Sequence, residues 1–319
     1  HLDSDISYIR SQGGDVSISF GGAAGQELAQ ACSSASSLQA QYQAVINQYS
    51  VTHLDFDIEG GAQGDSTSYD RRNIALAALQ QANPGLVISF TLPSATTGLL
   101  SDSLGMLNNA VSHGVNFSVV NLMTMDYGSA DSQMGQEAIN AANGLHSELQ
   151  NIFPSRSSSQ LWAMVGITPM IGQNDSAGEI FSISNAQQVL SFAQQNHIGE
   201  LAFWEISRDN GNCAGSTTAS DSCSGVSQNT YDFTNTFKPF TGGSSNPTPT
   251  PTPNTSGSYA VNAGGSAAGS FQADNYYSGG TTATSTDTIT TSGVSNPAPQ
   301  AVYQSERYGN FTYTFPNLQ

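Results

Sequence analysis

Three carboxylates, Asp55, Asp57 and Glu59, occupy alternate positions in the run Leu54-Asp55-Phe56-Asp57-Ile58-Glu59. On a β-strand alternate side chains share a face, so this spacing sets the three acids together and turns Leu54, Phe56 and Ile58 the other way. Like charges held this close cannot all ionise, and at least one proton is retained and shared near neutral pH. Glu59 ends the run and is followed by Gly60-Gly61, which leaves it the acid open to a ligand. A carboxylic acid that stays protonated near neutrality is a general acid, suited to protonating a glycosidic oxygen. The competing readings are a cation site and ion pairing with Arg71 and Arg72. Cation sites draw ligands from several oxygen-rich loops, whereas the apolar flanks here mark a strand, so acid chemistry leads and neither metal nor cofactor is expected.

A strand of this kind needs neighbours to hold it. Apolar, β-rich runs at Val16 to Phe20, Val51 to Ile58, Leu86 to Leu92, Phe117 to Met125, Leu161 to Ile171 and Leu201 to Ile206 read as strands. Helical spacing separates them: Leu38, Tyr42, Val45, Ile46 and Tyr49; Met134, Ala138, Ala142, Leu145 and Leu149; Ala186, Val189, Leu190 and Ala193. Strict alternation implies parallel strands with right-handed crossovers. The near-continuous apolar strands fit an α/β fold of the (β/α)8 TIM barrel type, with functional groups at the C-terminal strand ends; a doubly wound open sheet is the alternative. A closed barrel needs about eight units, so the expectation for residues 1–240 is a barrel lacking its first strand units, with about two more units before His1.

The alternation stops after Phe240. Residues 241–258 form a Gly/Ser/Pro/Thr linker containing Pro-Thr-Pro-Thr-Pro-Thr-Pro, a semi-rigid extended sequence. Residues 259–319 read as β-rich, with strand-like pieces at Ala301 to Tyr303 and Asn310 to Phe315, ending in mid-pattern as an incomplete all-β module.

Of the 319 residues only 10% are charged, and the formal net charge is -17. Such a surface repels phosphate backbones and excludes nucleic acid as the expected partner. Abundant hydroxyl and amide side chains suit neutral sugars, although the same bias is common in secreted proteins whatever they bind. No run of about 18 apolar residues occurs, so no membrane insertion is expected. Cys213 and Cys223 lie in one Gly/Ser/Thr-rich loop, close enough to close a small ring, which favours an oxidising, extracellular compartment and leaves Cys32 unpaired. The chain is expected to be a secreted monomer.

Leu54-Asp55-Phe56-Asp57-Ile58-Glu59 resembles the fourth-strand signature of family-18 glycoside hydrolases, the chitinase family. Ser19-Phe20-Gly21-Gly22 resembles the family's third-strand Ser-x-Gly-Gly motif, Met123-Thr124-Met125-Asp126-Tyr127 its sixth-strand motif, and Phe203-Trp204-Glu205 its eighth strand. Four motifs in order over residues 1–240 make the resemblance specific. It implies substrate-assisted, retaining cleavage of chitin, the family being a known exception to the two-carboxylate scheme. In that scheme the sugar's own 2-acetamido oxygen attacks the anomeric carbon. Glu59 protonates the leaving oxygen and later activates water, Asp57 orients the acetamido N–H, and Asp55 modulates the proton on Asp57. Asp126 and Tyr127 hold the acetamido group, and Trp204 forms an apolar floor, with Met123, Met125, Ser19 and Asn174 as further substrate contacts. The alternative for Trp204 is a buried barrel residue.

Two departures stand out. The family places another Asp three positions before Asp55, where this chain has Thr52, so the buried carboxylate series is expected to be shorter. The family also places Tyr just before Asp126; here Met125 stands there and Tyr127 follows, sharing a face with positions 123 and 125 if the strand stays regular. Trp162 reads as core, Glu205 as an ion-pair partner of Arg208, and His53, His113, His146 and His197 as ordinary histidines. Between Ile171 and Leu201 there is room for a loop and one helix only, which points to an open groove and endo cleavage. An endo-β-N-acetylglucosaminidase acting on N-glycans and a catalytically inert chitin-binding lectin are the alternatives. In the second segment, Val261-Asn262-Ala263-Gly264-Gly265, Phe271, Asp274, Ala301-Val302-Tyr303-Gln304 and Arg307-Tyr308-Gly309-Asn310-Phe311 resemble the first half of a malectin-like carbohydrate-binding domain.

Overall fold

A computed structural model of the chain describes residues 2–240, 260–266, 268, 271–291 and 298–314. They divide between two compact units, one within residues 1–247 and one within 248–319. The linker expected at 241–258 lies outside the described residues.

In the first unit six strands, β1 (Ile18–Gly21), β2 (His53–Asp57), β3 (Val87–Ala95), β4 (Val119–Met123), β5 (Val165–Thr168) and β6 (Glu200–Leu201), form one parallel sheet. Each pairs with its neighbour in sequence. A doubly wound sheet reverses its strand order at a switch point; this sheet does not, so it is singly wound, the order of a (β/α) barrel. Helices Ala35–Tyr49, Ser66–Ala82, Ser101–Ser112, Met134–Ile152 and Ile183–Asn196 follow successive strands. Local chemistry sets their ends. Ser34 caps the first by accepting from Ser37 N, and Ser182 with Asn185 forms a capping box on the last.

The helix-facing side of β2 explains why the acids face inward. Leu54, Phe56 and Ile58 are fully buried, and Phe56 lies 5.6 Å from Phe20, 5.2 Å from Tyr42 and 6.0 Å from Phe90 between ring centroids. Burying that aromatic row fixes the strand's register, because a one-residue slip would drive three carboxylates into it.

Three of the expected strands are corrected. The run Leu161 to Ile171 contains the end of a short helix, Ser158–Trp162, before β5 begins; its capping box, Ser157 with Gln160, outweighs the apolar pattern. Leu201 to Ile206 is a regular strand only at its start, Glu200–Leu201, with a further parallel bridge from Trp204 to Met170, and Ile206–Arg208 is a 3-10 turn. Ala301 to Tyr303 belongs to a helical turn, Gln300–Tyr303, too short for its period to show in the sequence.

The second unit holds an antiparallel pair, β7 (Tyr277–Thr284) and β8 (Ser305–Tyr313), with a bulge between Gly279 and Thr281. Its polar centre is Asp274, which accepts from Gly264 N at 2.7 Å, from Arg307 Nε at 2.8 Å and from the Tyr313 hydroxyl. Arg307 also stacks over the Tyr277 ring at 3.3 Å.

Candidate active site

Asp55 accepts hydrogen bonds from three hydroxyls on the two strands that flank it: Ser19 Oγ of β1 at 2.7 Å, and Ser89 Oγ at 2.6 Å and Thr91 Oγ1 at 3.0 Å, both of β3. This is the shell of an acceptor-only, ionised carboxylate. Ser89 has a single proton and gives it to Asp55, so the His53 Nε2 contact at 2.9 Å is a donation to Ser89. Burial lowers the pKa of His53, in keeping with a neutral ring. The network continues across the sheet: Asn121 Nδ2 donates to Thr91 Oγ1 at 3.3 Å, and Thr168 Oγ1 donates to Asn121 Oδ1 at 2.7 Å.

One step toward the strand end, Asp57 is half-buried and its Oδ1 is buried with no hydrogen-bond partner. Burial, then the charges of Glu59 and Asp55, push its pKa up to about 7. Burial also raises Glu59. Both carboxyls therefore hold a proton more tightly than a free acid does, Asp57 up to about pH 7, while Asp55 is held in its hydroxyl shell.

A cavity of about 420 Å³ opens beside the pair, lined by Gly21, Gly22 and Glu27 together with Asp57, Glu59 and Gly60. The two glycines are required by close approach. Gly21 and Gly22 have φ of 113° and 99°, and a Cβ on Gly21 would sit 1.9 Å from the Asp57 carbonyl oxygen. Gly22 N donates to that same carbonyl at 2.9 Å. The Ser-x-Gly-Gly motif therefore supports the acid strand through the Ser19 hydroxyl and through backbone contact.

Trp204 is 51% exposed, which removes the buried-core alternative for it. Trp162 is packed instead, stacked on His146 at 4.2 Å and edge-on to Phe192. Met123 ends β4 opposite Thr168, on the same face as Asn121, and Met125 is half-buried just beyond. Asp126 adopts a left-handed conformation, φ 53°, and its Oδ1 accepts from Ser176 N at 2.7 Å.

Several expected roles are corrected. Tyr127 does not continue the alternation of 123 and 125, because β4 ends at Met123 and the chain turns at Asp126. Its ring packs against the core, and its hydroxyl is buried within electrostatic reach of Glu137 and Glu179. Asn174 is 2% exposed and its amide is fully used: Nδ2 donates to Met170 O and Gly172 O, and Oδ1 accepts from Asp126 N. It braces two loops. Ser19 is exposed and gives its proton to Asp55, which leaves its oxygen only as an acceptor. Thr52 is exposed and precedes β2, so its change from Asp leaves the buried acid series unaltered. Arg208 donates to the carbonyls of Ile171, Gln173 and Ser220, and no ion pair joins it to Glu205 among the described residues. Arg71 and Arg72 turn to Ala29 O and Glu27, away from the acid strand. Cys213 and Cys223 are bonded, with Cα atoms 5.9 Å apart, and Cys32 is free.

Sequence reading missed the hydroxyl shell of Ser89 and Thr91, and it missed Glu179. That carboxylate is fully buried and accepts from the backbone N–H of Tyr127, Gly128 and Ser129 at 3.0, 2.6 and 3.1 Å, fixing the loop that carries Asp126. No local signal marks it, since its partners lie about fifty residues away.

A singly wound parallel α/β unit with a proton-holding acid at the C-terminal strand ends is the architecture of a barrel-type glycoside hydrolase. No protein-family model matches the chain. It is 36% identical over 254 residues to a probable bifunctional chitinase/lysozyme of Escherichia coli strain K12, covering 75% of this chain and 28% of that protein. It is 37% identical over 219 residues to endochitinase 11 of Metarhizium anisopliae, covering 65% and 42%. The chain thus spans less than half the length of these curated relatives. The catalytic domain of a hyperthermophilic chitinase from Pyrococcus furiosus is 36% identical with a TM-score of 0.69, covering 74% of this chain and 76% of that one. Catalytic-site mutants of active domain 2 of that organism's thermostable chitinase, solved with chito-oligosaccharides, give 35% identity and a TM-score of 0.70. The chain belongs to the family-18 chitinases, over their catalytic domain.

Proposed function

We propose that the chain hydrolyses the β-1,4 bonds between N-acetylglucosamine units of chitin by substrate-assisted, retaining catalysis. The observation that carries this reading is the placing of Asp57 and Glu59, two carboxyls whose proton affinity burial raises, together in the lining of the open cavity. Glu59 delivers its proton to the glycosidic oxygen as the bond to the anomeric carbon breaks. The 2-acetamido oxygen forms the new bond to that carbon from the other face, and Asp57 orients its N–H and takes up the developing positive charge. Water then attacks the anomeric carbon as its bond to the acetamido oxygen breaks and the free acetamido group is regenerated; the water gives a proton to Glu59, which restores the acid, and configuration is retained. Asp55 holds the negative potential that keeps the proton on Asp57. Asp126 contacts the acetamido group, Trp204 supplies the apolar floor under the sugar, and Met123 and Met125 line it.

Cleavage is endo. The chain between β5 and β6 holds one short antiparallel pair, Gly172–Gln173 with Ile180–Phe181, and one helix, with no additional domain to wall the groove. The protein acts as a secreted monomer, a reading supported by the Cys213–Cys223 bond; reducing-agent-insensitive dimers in sedimentation, or retention of the chain inside the producing cell, would count against it. The second unit is a malectin-like sugar-binding module whose exposed Tyr277, Tyr308 and Phe311 stack on polymer. Unchanged chitin retention after Tyr308→Ala with Phe311→Ala would remove that assignment.

The test of the main reading is Glu59→Gln, which keeps shape but carries no proton. Turnover of chitin hexasaccharide should fall by a factor on the order of 10² to 10⁴ with binding largely intact. Near-normal turnover, or equal cleavage of fully deacetylated polymer that has no acetamido oxygen, would overturn it.

A further inference from the structure

The stretch of cavity lining contributed by residues 21–30 is held by a buried pair of charges. Glu27 lies at the start of the short helix Leu28–Ala31 and caps it, its Oε2 accepting from Ala29 N at 3.0 Å. The same oxygen lies 3.4 Å from Arg72 Nη1, and the two side chains are 5% and 0% exposed. Arg72 projects from helix Ser66–Ala82, which begins just after Glu59, and it also donates to Met106 Sδ at 2.7 Å. Two more contacts run between the same partners: Gln30 Nε2 donates to Asp65 Oδ2 at 3.2 Å, and Arg71 donates to Ala29 O.

These contacts tie two stretches of the lining to one helix. It follows Glu59 after the 3-10 turn Gly60–Ala62 and the N-cap Asp65, and its second turn holds residues 27–30. The loop between them, Gly22 to Gln26, has glycines at positive φ at Gly22 and Gly25 and carries no fixed hydrophobic anchor of its own. The near end of the loop is held by Gly22 N on the Asp57 carbonyl, and Glu27 anchors its far end. The contact with Arg72 is made by charge more than by a shared hydrogen bond, since Arg72 Nη1 and Nε and Glu27 Oε1 are all buried without hydrogen-bond partners. In a buried setting that attraction is little screened, and removing one member leaves the other charge uncompensated.

We propose that the Glu27–Arg72 pair is a positioning device for substrate, setting the width of the cavity beside Glu59 by tying the Gly22–Gln26 wall to the helix that follows the acid. Neither residue touches the reacting atoms. The proposal rests on the reading of this cavity as the sugar site.

The test compares Glu27→Gln, Arg72→Met and the double variant in the full chain. Binding of chitin hexasaccharide is measured by calorimetry in a Glu59→Gln background, kinetics in the active background, and melting alongside. Each single variant strands a buried charge and should melt lower. The double variant strands none and should recover most of the melting temperature, because paired apolar or neutral replacements of buried ions are tolerated. Positioning predicts that KM and Kd stay raised in the double variant, by on the order of 10-fold, with kcat changed less than about 3-fold. If KM and Kd return to parental values together with stability, or never change, the pair is structural only and the proposal falls. Should the parent itself not bind the hexasaccharide, the assignment of the site fails instead, and the two failures are distinguished by that control.

Discussion

Asp57 stores a penalty that ought to be visible in stability as well as in turnover. Its pKa moves from an ordinary 3.8 to about 7, roughly three pH units, and each unit corresponds to about 1.36 kcal/mol. That sets a ceiling near ~4 kcal/mol. Asp57 keeps part of its surface in water, so solvent screening brings the figure to about 2 kcal/mol. The sign follows from proton linkage. Between about pH 4 and pH 7 the folded protein holds this proton and the unfolded chain does not, so stability falls as pH rises through that window and stays lowered above it. Asp57→Asn has no proton to lose. It should raise the melting temperature of the first unit at pH 8 by about 4 to 8 °C, taking 2 to 4 °C per kcal/mol for a unit of this size, and leave it nearly unchanged at pH 4, while turnover collapses. Calorimetric melting of both proteins at the two pH values is the assay. An equal gain at both pH values, or a loss at pH 8, would refute the idea that a buried, like-charged environment is what holds the proton.

Asp55→Asn removes one of the charges raising Asp57, so the alkaline limb of the kcat/KM profile should move to lower pH; an unmoved limb would separate the two carboxylates. Trp204→Ala in a Glu59→Gln background should weaken hexasaccharide binding by about 10-fold, and unchanged calorimetric affinity would exclude the exposed ring as a sugar platform. Replacing Cys213 and Cys223 by Ser opens a loop of sequence separation 10 and should cost about 2 kcal/mol, read as a lower melting temperature with kcat retained; an unaltered melt would show the loop to be ordered without the bond.

The acid strand was legible because its two faces carry opposite chemistry. Leu54, Phe56 and Ile58 against Asp55, Asp57 and Glu59 is a period of two that only a strand satisfies, and the structure keeps that division. Sequential strand order was legible as alternation of apolar runs with helical spacing. What failed lay where local pattern yields to distant contacts. Tyr127 was placed by extending a strand that stops at Met123, and Asn174 was placed by its position after β5, whereas its amide is consumed by Met170, Gly172 and Asp126. Glu27 with Arg72, and Glu179 with the 127–129 backbone, join residues about fifty positions apart, and nothing in the neighbouring sequence announces a partner so remote.

The hydroxyl shell around Asp55 has an implication for the medium in which the protein works. Its negative charge is met by Ser19, Ser89 and Thr91, neutral donors, and among the described residues no Lys or Arg pairs with it. Dissolved salt weakens attraction between opposite charges near a surface, but it has less grip on a half-buried anion solvated by fixed hydroxyl dipoles. The surface of this chain, with its net charge of -17, will feel ionic strength strongly; the acid strand beneath it is insulated. Brine and dilute buffer should therefore present the substrate with the same proton, while changing only how readily a charged neighbour approaches.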